Sequence, residues 1–314
     1  MIAIVLAALL WGTTGTVASS LPGDVGPLAV GAATMCVGGL LLALTAPRLT
    51  LAVLGGGRTS WRWLVPGALG VVVYPLAFYS SMSLAGVAVG NVVSLGTAPV
   101  FAALLERTLD PPSRRRPLEA RWAASAALAV AGVALLAATG QHPPGQHAGA
   151  QADGAAATAA GSPPLGIALG VLAGLAYATY TYTAGRLIAD GHPSRGAMSA
   201  QFGVGAVLLL PVLLATGAPL LRSGASLGAV AYLALGPMFV AYLLFGRGLR
   251  TVSSSRATTV TLLEPFVATL LAVLVVGERL DPPGWLGLAL VLTGVVSVVL
   301  TRPSRPSRPG VVAA

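Results

Sequence analysis

The feature that most restricts this chain is an apolar stretch about one membrane thickness long that recurs ten times along the sequence. A helix of about 20 mostly apolar residues crosses the roughly 30 Å of hydrocarbon in a bilayer. The stretches lie near 2–20, 27–46, 63–82, 86–105, 121–139, 165–187, 196–216, 226–246, 256–276 and 284–301. Apolar residues run continuously through them rather than alternating, which argues for helices over barrel strands. Only 9% of the residues are charged and 55% are hydrophobic, where a soluble domain carries about 25% charged residues. The expected fold class is an all-α integral membrane protein with ten transmembrane helices, its first partner the lipid bilayer itself.

A net charge of +9 would point to nucleic acid in a soluble protein. Here the charges fall in bursts between the apolar runs, so no nucleic-acid partner is expected and orientation in the bilayer explains them. With the N-terminus inside, the inner loops collect Arg48, Arg58, Arg62, Arg107, Arg114, Arg115, Arg116, Arg121, Arg186, Arg195, Arg247, Arg250 and Arg256, and the inner tail adds Arg302, Arg305 and Arg308. Of the 18 basic residues only Arg222 and Arg279 fall outside. That split predicts a multi-pass protein with both termini in the cytoplasm, and the expected location is the bacterial inner membrane. The N-terminal "MIAIVLAALLWGTTG" lacks the basic n-region of a signal peptide and is expected to be a retained first span. Residues 140–163, "GQHPPGQHAGAQADGAAATAAGSP", form a flexible external linker by composition. Its His142 and His147 are separated by prolines and have no third ligand nearby, so no metal site is expected. The single cysteine, Cys36, is expected to be a small buried hydrophobe.

The linker separates two similar halves. A constant shift of 166 residues aligns Val5–Thr13 with Val171–Thr179, Gly39 with Gly205, Gly70 with Gly236 and Pro99 with Pro265, and "APVFAALL" with "EPFVATLL". The domain reading is a first repeat at 1–139, the linker at 140–163, a second repeat at 164–301 and a basic cytoplasmic tail at 302–314. Five helices is an odd number, so the second copy enters from the opposite side and the repeats are inverted. Such repeats are the usual frame of secondary transporters, with a substrate site between the halves near the midplane.

The ten spans, the repeat, "LLWGTTG" in span one, the Leu84–Val87 turn and "LLEPFVATLLAVLVVGERL" before the last span resemble the EamA family of the drug/metabolite transporter superfamily. The Gly-Glu-Arg turn of that family is present at Gly277–Arg279. The first half has "ERTLDPPSRRRPLEARW" instead, and no role passes to Glu106 or Glu119. The resemblance implies a secondary transporter of small metabolites (amino acids or derivatives, or amphipathic drugs), usually an exporter, working by alternating access with no cofactor. Protons as coupling ion and a homodimer are compatible with it. The alternatives are a lipid-linked or nucleotide-sugar-type flippase, or a non-transporting membrane subunit. The chain has no H-E-x-x-H, G-x-S-x-G or G-x-x-x-x-G-K-[ST] motif, and it is not expected to be an enzyme.

The candidate site residues follow from chemistry at membrane depth. In span nine, Ala257, Thr261, Glu264, Ala268 and Ala272 share one helical face. Leu262, Phe266, Leu270 and Val273 form a bulkier side expected to face lipid. A carboxylate facing lipid would cost several kcal/mol, so Glu264 is expected to face the interior as a proton carrier, as counter-ion to an amine, or as a fixed structural carboxyl, with Arg256 a candidate ion-pair partner. Pro265 and Pro99 each remove a backbone N–H, freeing the carbonyls of Thr261 and Leu95, and are candidate hinges. Asn91 is the one amide of span four. Trp11 and Tyr177, aligned by the repeat, lie too deep for an interfacial belt, and with Tyr180 and Thr14 they are candidates to wall an aromatic cavity. Trp61, Trp63, Trp122 and Trp285 are assigned to the belt. Gln201, Tyr74 and Tyr79 are weaker candidates.

Overall fold

The computed structural model describes residues 1–18, 20–112, 119–138, 162–276 and 280–300. Among them there is no strand, and helices account for nearly every residue. The spans are Ile2–Ala18, Pro27–Leu44, Gly57–Ala85, Val87–Leu109, Ala120–Ala138, Pro163–Ala189, Ser194–Thr216, Gly224–Leu249, Ser254–Val275 and Pro282–Leu300, here called spans one to ten. Nine are long and apolar enough to cross a membrane, span four being counted from Val89, and the first is a shorter apolar helix. The protein is thus an all-helical membrane protein of ten spans. His142, His147, the Gly277–Arg279 turn, the basic tail and all of the linker before Ser162 lie outside the described residues. The last two linker positions belong instead to the next helix, with Ser162 as its N-cap and Pro163 in its first turn.

Helix length departs from hydropathy where polar residues extend a helix beyond the hydrocarbon. Span three starts at Gly57 rather than near 63, because Arg58, Thr59, Ser60, Trp61 and Arg62 continue the helix into the polar layer. A short helix that hydropathy does not show, Pro47–Leu54, precedes it with Thr50 and Val53 buried. Span one is interrupted at Thr13.

Spans eight and nine carry the larger irregularities. Residues Ala234–Val240 form a π-helical stretch around Pro237, and Ala272–Val276 form another. Such stretches leave carbonyls poorly paired and often mark functional positions. Span nine also breaks at Thr261–Leu262, between the helices Ser254–Val260 and Leu263–Leu271. The break overturns the continuous-helix assignment of Leu262 to the lipid side, and Leu262 is fully buried.

The main packing pairs of spans obey a rule. Span two packs on seven, span five on ten, and span four on nine; span three packs on six as span eight packs on one, and span four on six as span nine on one. Exchanging each span for the one five places away returns the same set of pairs. Glycines make some of these approaches possible. A Cβ at Gly132 would lie 2.6 Å from the Val291 backbone nitrogen, and one at Gly294 2.6 Å from the Ser125 carbonyl, so spans five and ten touch backbone to backbone.

Polar bonds between the halves concentrate at the end that holds the arginines. Arg186 pairs with Asp110 at 3.2 Å, Arg62 with Asp190 at 3.2 Å and Arg256 with Glu119 at 3.0 Å. Tyr182 and Trp63 donate to Asp110 and Asp190, and Trp122 to Thr259. Trp63 and Trp122 thus spend their N–H groups on protein partners rather than in a belt, whereas Trp61 and Trp285 are exposed. At the opposite end the ion pair among the described residues is Arg222–Asp24, with both side chains largely exposed. Cys36 is buried and donates to the Ala206 carbonyl at 3.3 Å.

Candidate functional site

Span nine changes neighbours at its break. The segment before it, Ser254–Val260, packs chiefly on span four, with spans six and ten beside it. The segment after it, Leu263–Leu271, packs chiefly on spans one and ten. Spans four and nine therefore part beyond the break, toward the end opposite the arginines. Glu264 stands at the start of the departing segment, in the first turn of its helix. That position favours a carboxylate, because the free N–H groups of a helix start carry partial positive charge.

The break has a simple cause. Pro265 has no N–H to give to the Thr261 carbonyl. The Glu264 N–H takes that carbonyl instead at 2.9 Å, and Leu262 N–H bonds Thr259 at 3.2 Å, both one residue tighter than an α-helix. The expectation that Thr261 offers a free carbonyl is corrected accordingly. Pro99 differs from its repeat partner, since it lies inside an uninterrupted helix, Val87–Leu109. The two candidate hinges are thus unlike, and only Pro265 coincides with a break.

The Glu264 side chain is half-buried within the bundle. Among the described residues nothing donates a hydrogen bond to its carboxylate and no cation pairs with it. Arg256, the candidate partner, is taken by Glu119. An intramembrane carboxylate is expected to be paired or wet, and this one is unpaired. The backbone behind it is held tightly, because a Cβ at Gly12 of span one would come within 3.1 Å of the Glu264 carbonyl and 2.5 Å of Val267 Cβ.

Tyrosines surround the carboxylate. The phenols of Tyr74, Tyr79, Tyr177 and Tyr242 all lie within its electrostatic reach. Tyr74, Phe78 and Tyr79 are half-buried on span three, with Tyr74 and Phe78 stacked at 5.5 Å and Phe78 edge-on to Tyr79 at 5.4 Å. Tyr79 reaches across to span two, where a Cβ at Gly31 would meet its ring. Behind this layer runs a continuous aromatic core. Tyr74 packs on Tyr177 and Tyr180, Tyr180 on Phe202, Phe202 on Tyr242 at 4.1 Å, and Tyr242 on Trp11 at 5.1 Å.

The structure therefore redistributes the predicted aromatic wall. Trp11, Tyr177 and Tyr180 are buried, and each spends its polar atom inside the protein. The Trp11 N–H donates to the Pro237 carbonyl at 2.7 Å, in the π-helical stretch of span eight. Tyr177 donates to Thr261 Oγ1 at 2.7 Å, at the break itself, and the Tyr180 and Tyr242 hydroxyls meet at 3.1 Å. These rings hold the two irregular helices in place, and Tyr74, Phe78 and Tyr79 present the accessible surface. Thr14 is half-buried just after the interruption of span one. Asn91 is half-buried and its amide has no hydrogen-bond partner among the described residues. Gln201 is fully buried and donates to Thr183 Oγ1 at 2.6 Å, away from this group.

Sequence reasoning overlooked Tyr242 and Phe202, which complete the aromatic core, and assigned nothing to Glu106. The Glu106 carboxylate accepts from the Ser255 backbone N–H at 3.1 Å and the Ser255 hydroxyl at 2.6 Å. It thereby caps, from span four, the start of the helix in span nine. A carboxylate at the arginine-rich end of span four, facing the Ser253–Ser255 run of span nine, was the available signal.

Comparisons with known proteins place this arrangement among carriers. The family model described as "EamA-like transporter family" matches residues 1–138 and 164–300. The "Uncharacterized transporter YwfM" of Bacillus subtilis (strain 168) is 32% identical over 297 residues, covering 94% of this chain and 92% of that protein. The "Uncharacterized inner membrane transporter YicL" of Salmonella typhimurium (strain LT2) is 28% identical over 131 residues, 42% of this chain and 43% of its own. A crystal structure described only as that of a protein superposes with a TM-score of 0.73 at 21% identity, covering 95% of this chain and 96% of that one. At that identity the likeness is one of fold alone.

Proposed function

The chain belongs to the EamA-like transporter family, and on that premise we propose that it carries small organic metabolites or amphipathic drugs across a bacterial inner membrane by alternating access, in the outward direction. The halves at 1–139 and 164–301 act as inverted repeats. The exchange rule among the span contacts supports this, since it is what two related five-span units in opposite orientation would give. The arginine-rich end lies in the cytoplasm by charge bias. Among the described residues that end holds the ion pairs of the largely buried Arg186 and Arg256, while the ion pair at the opposite end, Arg222–Asp24, is exposed, and we read this conformation as closed inward and open outward.

The single observation that carries the reading is the unpaired, half-buried Glu264 carboxylate where spans four and nine part, which we read as lining the substrate crevice. A structural carboxyl would be hydrogen-bonded between helices. A transport carboxylate must be free to exchange partners, here a substrate group and a proton, whose competition couples the two fluxes. The break at Thr261–Leu262, pinned by Tyr177, is the flexion point, so Pro265 rather than Pro99 is the hinge.

The test is metabolite and toxin profiling of cells with and without the gene, followed by counterflow of the responding compounds in proteoliposomes. Saturable exchange that Glu264→Gln weakens while the protein still inserts is the expected outcome. Flux that never saturates, or that is unchanged in Glu264→Gln, overturns it.

A further inference from the structure

We infer that the substrate is an organic monocation without a carboxylate, a decarboxylated or quaternary amine with an apolar or aromatic body, rather than an amino acid zwitterion. The inference rests on the transporter reading and narrows its substrate class.

The charge inventory of the crevice is one-sided. Glu264 supplies a negative group with no counter-charge. Positive groups are absent from the whole depth at which it sits. No arginine or histidine occurs in residues 2–18, 63–106, 163–185, 223–246, 257–276 or 282–300, the parts of spans one, three, four, six, eight, nine and ten inside the bilayer. The described arginines lie at the ends, and several are already committed: Arg62 to Asp190, Arg186 to Asp110, Arg256 to Glu119 and Arg222 to Asp24. A substrate carboxylate entering this crevice would lose its water shell and find only the Asn91 amide, hydroxyl groups and the repelling charge of Glu264. An ion without a partner in such surroundings is strongly disfavoured.

The aromatic layer points the same way. Tyr74 and Tyr79 keep accessible surface in reach of the carboxylate, Phe78 stacks on Tyr74, and Tyr74 packs on Tyr177, which bonds Thr261 one turn before Glu264. Ring faces carry negative quadrupole density and attract cations, most of all where water is scarce, which is how aromatic cages hold quaternary ammonium groups. They repel anions for the same reason. One carboxylate and three accessible rings therefore give a site that neutralises a single positive charge and wraps an apolar body.

The test measures binding by purified protein in lipid nanodiscs, using isothermal titration with three matched probes. Phenethylamine has the ring and amine, phenylalanine adds a carboxylate, and 3-phenylpropionate has the ring and carboxylate alone. Tetraphenylphosphonium is the bulky monocation. The expected result is binding of at least one of the two cations, phenethylamine at least tenfold tighter than phenylalanine where it binds, and no uptake of phenylpropionate. Glu264→Gln should weaken cation binding at least tenfold, and Glu264→Asp, which keeps the charge, should preserve the cation preference. Failure of both cations to bind, phenylalanine binding as tightly as phenethylamine, or unchanged cation affinity in Glu264→Gln overturns the assignment. Cation binding without counterflow would defeat the transporter reading and leave the site assignment standing. Saturable counterflow of a zwitterion that Glu264→Gln weakens, without cation binding, would do the reverse.

Discussion

Consider what removing Glu106 should do. Its carboxylate takes two hydrogen bonds from Ser255, at 3.1 Å from the backbone N–H and 2.6 Å from the hydroxyl, and so ties the end of span four to the start of span nine. These helices must separate at the arginine-rich end for the site to open inward, and the bonds exist only while that end is closed. A hydrogen bond to a charged group contributes about 1.5–3 kcal/mol net, and both groups regain water on opening. Taking about 2 kcal/mol for the pair together, Glu106→Ala shifts the inward-open to inward-closed ratio roughly 30-fold, at about 1.4 kcal/mol per factor of ten. The chain has one cysteine, which is buried, so Cys36→Ala leaves a clean background for spin labels. Labels on Thr108→Cys and Thr251→Cys, both exposed at the relevant end, report the separation by double electron–electron resonance. A longer-distance population should grow in Glu106→Ala, and Glu106→Gln, which keeps one acceptor oxygen, should fall between. A distance distribution identical to that of the parent in both variants would refute the idea that this cap holds the inner end shut.

Three further outcomes are expected from the same contacts. Trp11→Phe keeps the ring packing on Tyr242 but leaves the Pro237 carbonyl without its donor; a loss of about 1–3 kcal/mol should appear as a lower melting temperature in detergent. Gly132→Leu forces a side chain into the Val291 backbone; misfolding or loss of membrane insertion, read by size-exclusion of the solubilised protein, is expected, whereas Gly224→Ala, with open space around it, should be tolerated. Tyr177→Phe removes the bond to Thr261 at the break in span nine; it should alter counterflow rate more than cation affinity, because the ring that packs on Tyr74 remains.

Much of the fold was legible because membrane depth imposes a length. Ten apolar stretches became ten helical spans, and the constant offset of 166 residues paired positions on spans whose contacts exchange as the repeat requires. The misses share a physical cause, since hydropathy registers how long a segment is and nothing about where its backbone bonds go. Leu262 looked lipid-facing on an ideal helical wheel, but Pro265 disrupts the wheel at Thr261–Leu262 and turns Leu262 inward. Pro99 and Pro265 align in sequence and differ in consequence, because the helix around Pro99 runs unbroken to Leu109. The chemistry of the site was half visible. Glu264 stood out as the one carboxylate in mid-span. Its neighbours stood out less: Tyr74 and Tyr79 of span three were only weaker candidates and Tyr242 of span eight was overlooked, because their proximity to Glu264 is one no local spacing records. Trp11 and Tyr177 were singled out for depth, and they hold the frame rather than the surface.

The claim on which the account rests is that residue 264 borders a watery crevice reached from the face opposite the arginines. Glu264→Cys in the Cys36→Ala background, treated with the membrane-impermeant cationic thiol reagent MTSET, tests it directly. Modification in spheroplasts, where the periplasmic face is exposed, and protection in inside-out vesicles held in the same state is the predicted result. A thiol that is unreactive from both faces, or reactive only from the cytoplasmic one, would contradict it.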